Sequence, residues 1–252
     1  QVREYQKQTL GSATAVPTLE EMRFGAEAVM ETVGAMPNDV EIEAVDVDGL
    51  SALWVRHPEA DAKSVVLYFH GGGYVVQSAH SHRKVAAHLA IHSKRNVLSV
   101  NYRLAPEHTH PAAVNDAVTA YQWLLSAGYA PAKIAVSGDS AGGGLSLALL
   151  VALKNQKLEQ PAGAVVFSPW VDLEGTGESM DSNAGVDLMV DRHALALMAN
   201  MFIGGGSLRD PLAAPLYADL TGIAPVYIQV GGDEALLDDS TRFATRAAHA
   251  GV

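Results

Sequence analysis

The chain has 252 residues, 48% hydrophobic and 18% charged, a composition that suits a folded protein with one large core. Its formal net charge of -11 repels phosphate backbones and argues against a nucleic-acid partner. With no cysteine, the chain has no disulfides, thiolate catalysis or cysteine-based zinc, and a reducing, cytoplasmic setting is expected.

Residues 1–8 are polar and show no signal-peptide pattern. Residues 17–36 read as an amphipathic helix: Thr18 and Glu21 make a capping box, and Met22, Ala26, Val29, Met30 and Val33 share one face. Pro37 and Asn38 end it. Residues 40–47 and 50–55 alternate apolar and polar side chains around Asp48-Gly49, the signal of a β-hairpin with one buried face. The pattern then changes to continuous apolar strands, at 65–69, 96–102, 133–137, 164–167 and 226–230. Helical segments separate them, among them 113–125 with Val114, Ala117, Val118, Tyr121, Leu124 and Leu125 on one face. Alternation of this kind predicts an α/β fold, a mostly parallel sheet with helices on both faces. Residues 169–224 break the rhythm with loops, Gly204-Gly205-Gly206 and a helix around 192–201, and read as an insertion within a single domain spanning 1–252. The longest strongly apolar run, 145–153, is too short to span a bilayer, so no membrane span is expected.

Two motifs carry chemistry. Gly138-Asp139-Ser140-Ala141-Gly142 matches G-x-S-x-G where a strand gives way to an apolar helix, the context of a nucleophile elbow. Such a turn strains the serine backbone, and the helix N-terminus directs N–H groups at a developing oxyanion. His70-Gly71-Gly72-Gly73-Tyr74 follows the strand ending at Phe69, and three glycines let a loop present bare N–H groups. A phosphate cradle is the weaker reading, because no Lys-Ser/Thr follows and the net charge has the wrong sign.

With these motifs the chain resembles the hormone-sensitive-lipase-like esterases of the α/β-hydrolase superfamily, and among them small bacterial carboxylesterases. The similarity rests on His70-Gly71-Gly72-Gly73, Tyr102-Arg103-Leu104-Ala105-Pro106-Glu107, Gly138-Asp139-Ser140-Ala141-Gly142-Gly143, Ser168-Pro169-Trp170, Asp210-Pro211 with Ala214-Pro215, and Gly231-Gly232-Asp233-Glu234-Ala235-Leu236-Leu237-Asp238. The resemblance implies an α/β-hydrolase fold with a helical cap formed by 1–40 and part of 170–205. Ser140 would be the nucleophile, with Gly72, Gly73 and Ala141 donating to the oxyanion and His70 bracing its loop. The family's acid pattern, laid on Leu236 and Asp238, puts the triad acid at Glu234, with Asp233 one residue off register as the alternative. Triad order then calls for a histidine roughly thirty residues after the acid. The base is therefore expected beyond Val252, together with a final strand and helix, and His249 reads as a surface helix residue. Many relatives dimerise, so a homodimer is an open expectation.

Tyr74 and Trp170 are candidates to line the acyl or alcohol pocket, with plain core packing as the alternative. Met22, Met30, Met189, Met198 and Met201 lie in the expected cap segments, where they would form a soft apolar wall or fill the core. His80-Ser81-His82 and His108-Thr109-His110 lack the carboxylates or cysteines that complete a metal site, so loop packing is the expected role and no metal or organic cofactor is called for. The activity implied is hydrolysis of small, uncharged, short-chain carboxylic esters. The alternatives are a non-catalytic small-molecule binding protein of the same fold, or an amidase or thioesterase.

Overall fold

The structure, a computed structural model, describes residues 17–252, so the expectations for 1–16 lie outside the described residues. The hairpin forms as read: β1 (Glu41–Val47) and β2 (Leu50–Arg56) pair antiparallel around Asp48-Gly49. Both turn residues have positive φ, 52° and 88°, the type I′ geometry that matches strand twist.

β2 also pairs antiparallel with β4 (Arg95–Val100), and every further pairing is parallel. β3 (Asp61–Phe69) lies between β4 and β5 (Ile134–Asp139), followed outward by β6 (Gly163–Phe167) and β7 (Val226–Gln229). The sheet order is β1-β2-β4-β3-β5-β6-β7. β3 is buried from Ser64 to Phe69, as a strand covered on both faces must be. β4 stops two residues short of the expected end, and the Asn101 N–H still donates to the Ser51 carbonyl at 2.9 Å, one step further along the pairing with β2.

One face of the sheet carries α3 (Ala112–Ser126) and α4 (Ala141–Asn155). α4 is buried on all sides from Ala141 to Leu153, a central helix rather than an amphipathic one. On the other face Ala86, Ala87 and Ala90 of α2 (Arg83–Ser93) pack on Val55, Val66, Tyr68 and Val97. This two-sided burial is what makes the inner strands read as unbroken apolar runs.

α1 (Leu19–Thr32) has no fully buried residue and is held by polar contacts at both ends. Both halves of the capping box at Thr18 and Glu21 form. Arg23 donates to the Val75 carbonyl at 2.9 Å and pairs with Glu107 through two 2.7 Å bonds. At the other end Lys84 Nζ donates to the carbonyls of Glu31 and Gly34 at 2.7 and 3.1 Å, a cation on a helix C-terminus. The stretch 169–224 holds the short α5 (Ser179–Ser182) and α6 (Arg192–Ile203), and α7 (Leu237–His249) closes the chain. α7 has Asp238 and Asp239 in its first turn, where the helix dipole favours acids. Among the described residues no helix is long and apolar enough to cross a membrane.

Candidate active site

Ser140 stands between β5 and α4 with φ 52° and ψ -121°. A non-glycine residue there stores roughly 1–3 kcal/mol of backbone strain, which its neighbours must offset. Three backbone bonds do so: the Ser140 N–H donates to Phe167 O at 2.9 Å, and Ser140 O accepts from Trp170 N at 2.9 Å and Gly144 N at 3.0 Å. The turn is tight enough to exclude side chains at its flank. A Cβ on Gly142 would lie 2.0 Å from the Phe69 carbonyl oxygen and 2.4 Å from that of His70.

Those two carbonyls begin the glycine-rich loop, so elbow and loop touch backbone to backbone. Gly72 has φ 104°, and a Cβ there would meet the Val76 oxygen at 2.1 Å. The Gly72 carbonyl turns back to accept the Val75 and Val76 N–H groups, both at 3.0 Å. The N–H groups of Gly72 and Gly73 find no acceptor among the described residues. Donors left without an acceptor in a largely enclosed loop are costly unless something else occupies them. His70 is buried, stacks on Tyr102 at 4.4 Å and shares a 2.7 Å bond between Nδ1 and the Gly71 carbonyl. Burial, with the nearby His82, drives its pKa down to about 3, so it is a neutral brace.

Ser140, Gly72 and Gly73 line one cavity of about 500 Å³. Its roof comes from Met30 of α1, from Met189 and Val190, and from Ala194, Leu195 and Met198 of α6. Met198 rests on the loop, with its sulfur 2.2 Å from where a Cβ on Gly73 would stand. Of the methionines expected here, Met22 and Met201 instead pack against the core. Tyr74 and Trp170, candidates for the pocket, are not among the lining residues. Tyr74 stacks on Phe202 at 3.8 Å and both rings are about 1% exposed, because they fill the space beneath α4 where a Cβ on Gly144 would meet the Trp170 oxygen at 2.1 Å.

Across the cavity Glu234 is half-buried and lines the wall, while Asp233 is exposed and does not. Glu234 accepts the Gly231 N–H at 2.7 Å and its carbonyl accepts Asn183 Nδ2 at 2.8 Å. Asp187 joins this acid loop to the roof: Oδ2 accepts the Ala235 N–H at 2.8 Å, and Oδ1 accepts those of Met189 and Val190. His249 is exposed at the end of α7, away from the cavity. Among the described residues His82 is the one histidine in the lining.

The model of the alpha/beta hydrolase fold family matches residues 66–252, which include the glycine loop, the elbow and the acid loop. The chain belongs to the α/β-hydrolase fold family. Within it the relatives are esterases of the hormone-sensitive-lipase kind. An acetyl-hydrolase of Streptomyces hygroscopicus is 40% identical over 90% of this chain and 74% of its own length. An esterase of Acinetobacter venetianus is 36% identical over 84% of this chain and 70% of its own. A crystal structure of an esterase from the bacterial hormone-sensitive lipase family superposes with a TM-score of 0.93 and 44% identity, covering 100% of this chain and 82% of that one.

Sequence reasoning missed several residues of this α/β-hydrolase cavity: Gln77, Ser168, Asp187, Asp191, and the pair His82 and Asp139. Asp187 caps its own loop, Asp191 caps the N-terminus of α6, and neither lay in a motif. His82 was in view only as half of a close histidine pair. Its partner is Asp139, with Nε2 3.4 Å from Oδ2. In each histidine pair one ring lies inside and the other is exposed: His82 is buried and His110 half-buried, while His80 and His108 are exposed; His80 faces Glu31 at 3.8 Å and His110 faces Asp210 at 3.3 Å. Among the described residues no three His, Asp or Glu side chains converge as a metal-holding group.

Proposed function

We propose that the chain hydrolyses small, uncharged carboxylic esters by two-step acyl transfer through an acyl-enzyme on Ser140. Relatives named acetyl-hydrolase and esterase, 40% and 36% identical across most of the chain, make it a carboxylic ester hydrolase. The observation that carries the residue-level reading is the strained Ser140 facing a cavity beside two N–H groups that lack acceptors.

Ser140 Oγ attacks the ester carbonyl carbon as an imidazole base takes its proton. The carbonyl oxygen becomes an oxyanion held by the N–H groups of Gly72, Gly73 and Ala141. The bond to the alkoxy oxygen breaks, the base returns the proton to the leaving alcohol, and water then hydrolyses the acyl-enzyme by the same route. Glu234 orients the base; its place in the cavity wall supports it over Asp233. The family's order places the base after the acid in sequence, and among the described residues the histidine that follows Glu234, His249, is exposed and outside the cavity. Among the described residues the lining holds four carboxylates (Asp139, Asp187, Asp191 and Glu234) and no lysine or arginine, which supports a neutral ester over an anionic one. Residues 17–252 are read as one domain in which α1 and the segment 187–203 form the cap.

Hydrolysis of p-nitrophenyl butyrate by the full chain tests this. Ser140→Ala is expected to lower kcat by about 10⁴ or more, as loss of a nucleophile does. Turnover near the wild-type rate in that variant would refute the assignment.

A further inference from the structure

Behind the nucleophile lies a polar cluster that the mechanism above does not use. Asp139 is the residue before Ser140, and its carboxylate is gripped from two sides. Tyr68, buried in β3, donates its hydroxyl to Oδ1, and His82, 3% exposed at the start of α2, presents Nε2 to Oδ2 at 3.4 Å. The opposite ring nitrogen of His82 lies 3.1 Å from Ser81 Oγ. That hydroxyl donates to the Ser78 carbonyl at 2.8 Å, so its oxygen is left to accept from His82 Nδ1–H. Ser78 and Ser81 also cross-bond through their N–H groups and hydroxyls at 2.9 and 3.1 Å, which fixes the turn carrying the ring. With both nitrogens placed as donors, His82 sits against Asp139 as an imidazolium against a carboxylate. Burial pulls the His82 pKa down, but the Asp139 charge and hydrogen bond, with the Ser78 backbone and the Glu27 charge, together hold it above the usual value.

The gripped carboxylate has a mechanical consequence. Asp139 Oδ2 lies 2.3 Å from where a Cβ on Gly71 would stand, so the carboxylate presses directly on the glycine loop one residue before Gly72. Three elements therefore meet at one group: β3 through Tyr68, α2 through His82, and the loop through Gly71. We propose that His82 and Tyr68, acting through Asp139, are positioning residues that fix the Gly72 and Gly73 N–H groups relative to Ser140. This rests on the reading of Ser140 as nucleophile and of those N–H groups as oxyanion donors. A fixed loop matters most in the transition state, because donors aimed at the oxyanion help little while the carbonyl is still planar. Misplacement by a fraction of an ångström then lowers kcat more than it raises KM.

The test uses the full chain, with active sites titrated by a p-nitrophenyl phosphonate so that rates refer to folded, competent enzyme. Wild type, Ser140→Ala, His82→Ala, His82→Gln and Tyr68→Phe are compared on p-nitrophenyl butyrate. His82→Ala is expected to lower kcat per titrated site about 20- to 100-fold with KM within about 3-fold. His82→Gln, whose amide can donate from near the Nε2 position, is expected to recover most of that loss, and Tyr68→Phe to fall between. Should Ser140→Ala keep turnover, the nucleophile reading fails. If Ser140→Ala is dead while His82→Ala and Tyr68→Phe keep the wild-type kcat per site, the positioning role alone is overturned. A loss in both His82 variants as deep as in Ser140→Ala would also overturn it, since His82 would then be acting as the base.

Discussion

Asp239 is fully buried in α7, close behind the acid loop, and its surroundings make a strong demand. Its Oδ2 accepts the N–H groups of Val171 and Asp172, both at 2.8 Å, while Oδ1 is buried with no partner. Beside it Asp172 is well supplied, accepting from Thr176, Tyr217 and Arg242 at 2.6, 2.9 and 2.9 Å. Burial opposes the charge on Asp172, but these bonds hold its pKa below the usual value. Two carboxylates this close do not both ionise readily. Asp239 is the one that keeps its proton: burial raises it from 3.8 to about 7, against the pull of its two backbone bonds. In the unfolded chain the same group ionises near 3.8, so between these values the folded state holds one more proton. Stability therefore falls as pH rises through that window, by about 1.4 kcal/mol per pH unit, on the order of 4 kcal/mol in all. Asp239→Asn keeps the acceptor for both N–H groups and has no proton to lose. Urea unfolding of the two proteins at pH 4, 6 and 8 isolates the effect, since the other titrating groups cancel in the difference. Asn should gain under about 1 kcal/mol at pH 4 and on the order of 4 kcal/mol at pH 8. An Asn–Asp difference that is the same at pH 4 and pH 8 would refute the reasoning and mean that Asp239 is ionised throughout.

Two further predictions concern glycines, and one the cap. Gly25 lies in α1 with nothing within 4 Å of where a Cβ would stand, so Gly25→Ala should stabilise the fold by about 0.5–1 kcal/mol, read as a rise in Tm. Gly142→Ala should cost at least about 3 kcal/mol and abolish activity, because its Cβ would drive apart the Phe69 and His70 carbonyls and the elbow; a well-folded, active variant would contradict the contact. Met198→Ala removes the side chain resting on Gly73 and enlarges the cavity roof. The ratio of kcat/KM for p-nitrophenyl octanoate over butyrate should rise about 3- to 10-fold, and an unchanged ratio would place the acyl chain elsewhere.

What was legible in the sequence was legible for local reasons. The type I′ hairpin at Asp48-Gly49, the capping box at Thr18 and the turn at Ser140 each depend on φ values and short-range bonds that particular residues dictate. The unbroken apolar strands follow from burial on both faces, which neighbours along the chain record directly. Tyr74 and Trp170 stayed open between pocket and core because an aromatic residue beside a motif has the same local signature whether it faces the cavity or fills the core under α4. Register alone favoured Glu234 over Asp233, and which of these adjacent acids the loop turns toward the cavity is visible only in the fold, where Glu234 lines the wall.

The gap was widest at Asp139. In the motif it occupies the unspecified position between glycine and serine, and a local reading treats it as filler. Yet a carboxylate placed at the end of an inner strand is surrounded by β3 and α2, and burying it there demands compensating partners. Those partners, Tyr68 and His82, stand 71 and 57 positions earlier in the chain, and only the order β3-β5 in the sheet and the α2 crossover bring them to it. A charged residue in the middle of an otherwise apolar strand–turn–helix run is itself the signal: it obliges a search for the donors that hold it. Here that search leads to a histidine whose close spacing to His80 had pointed only to loop packing.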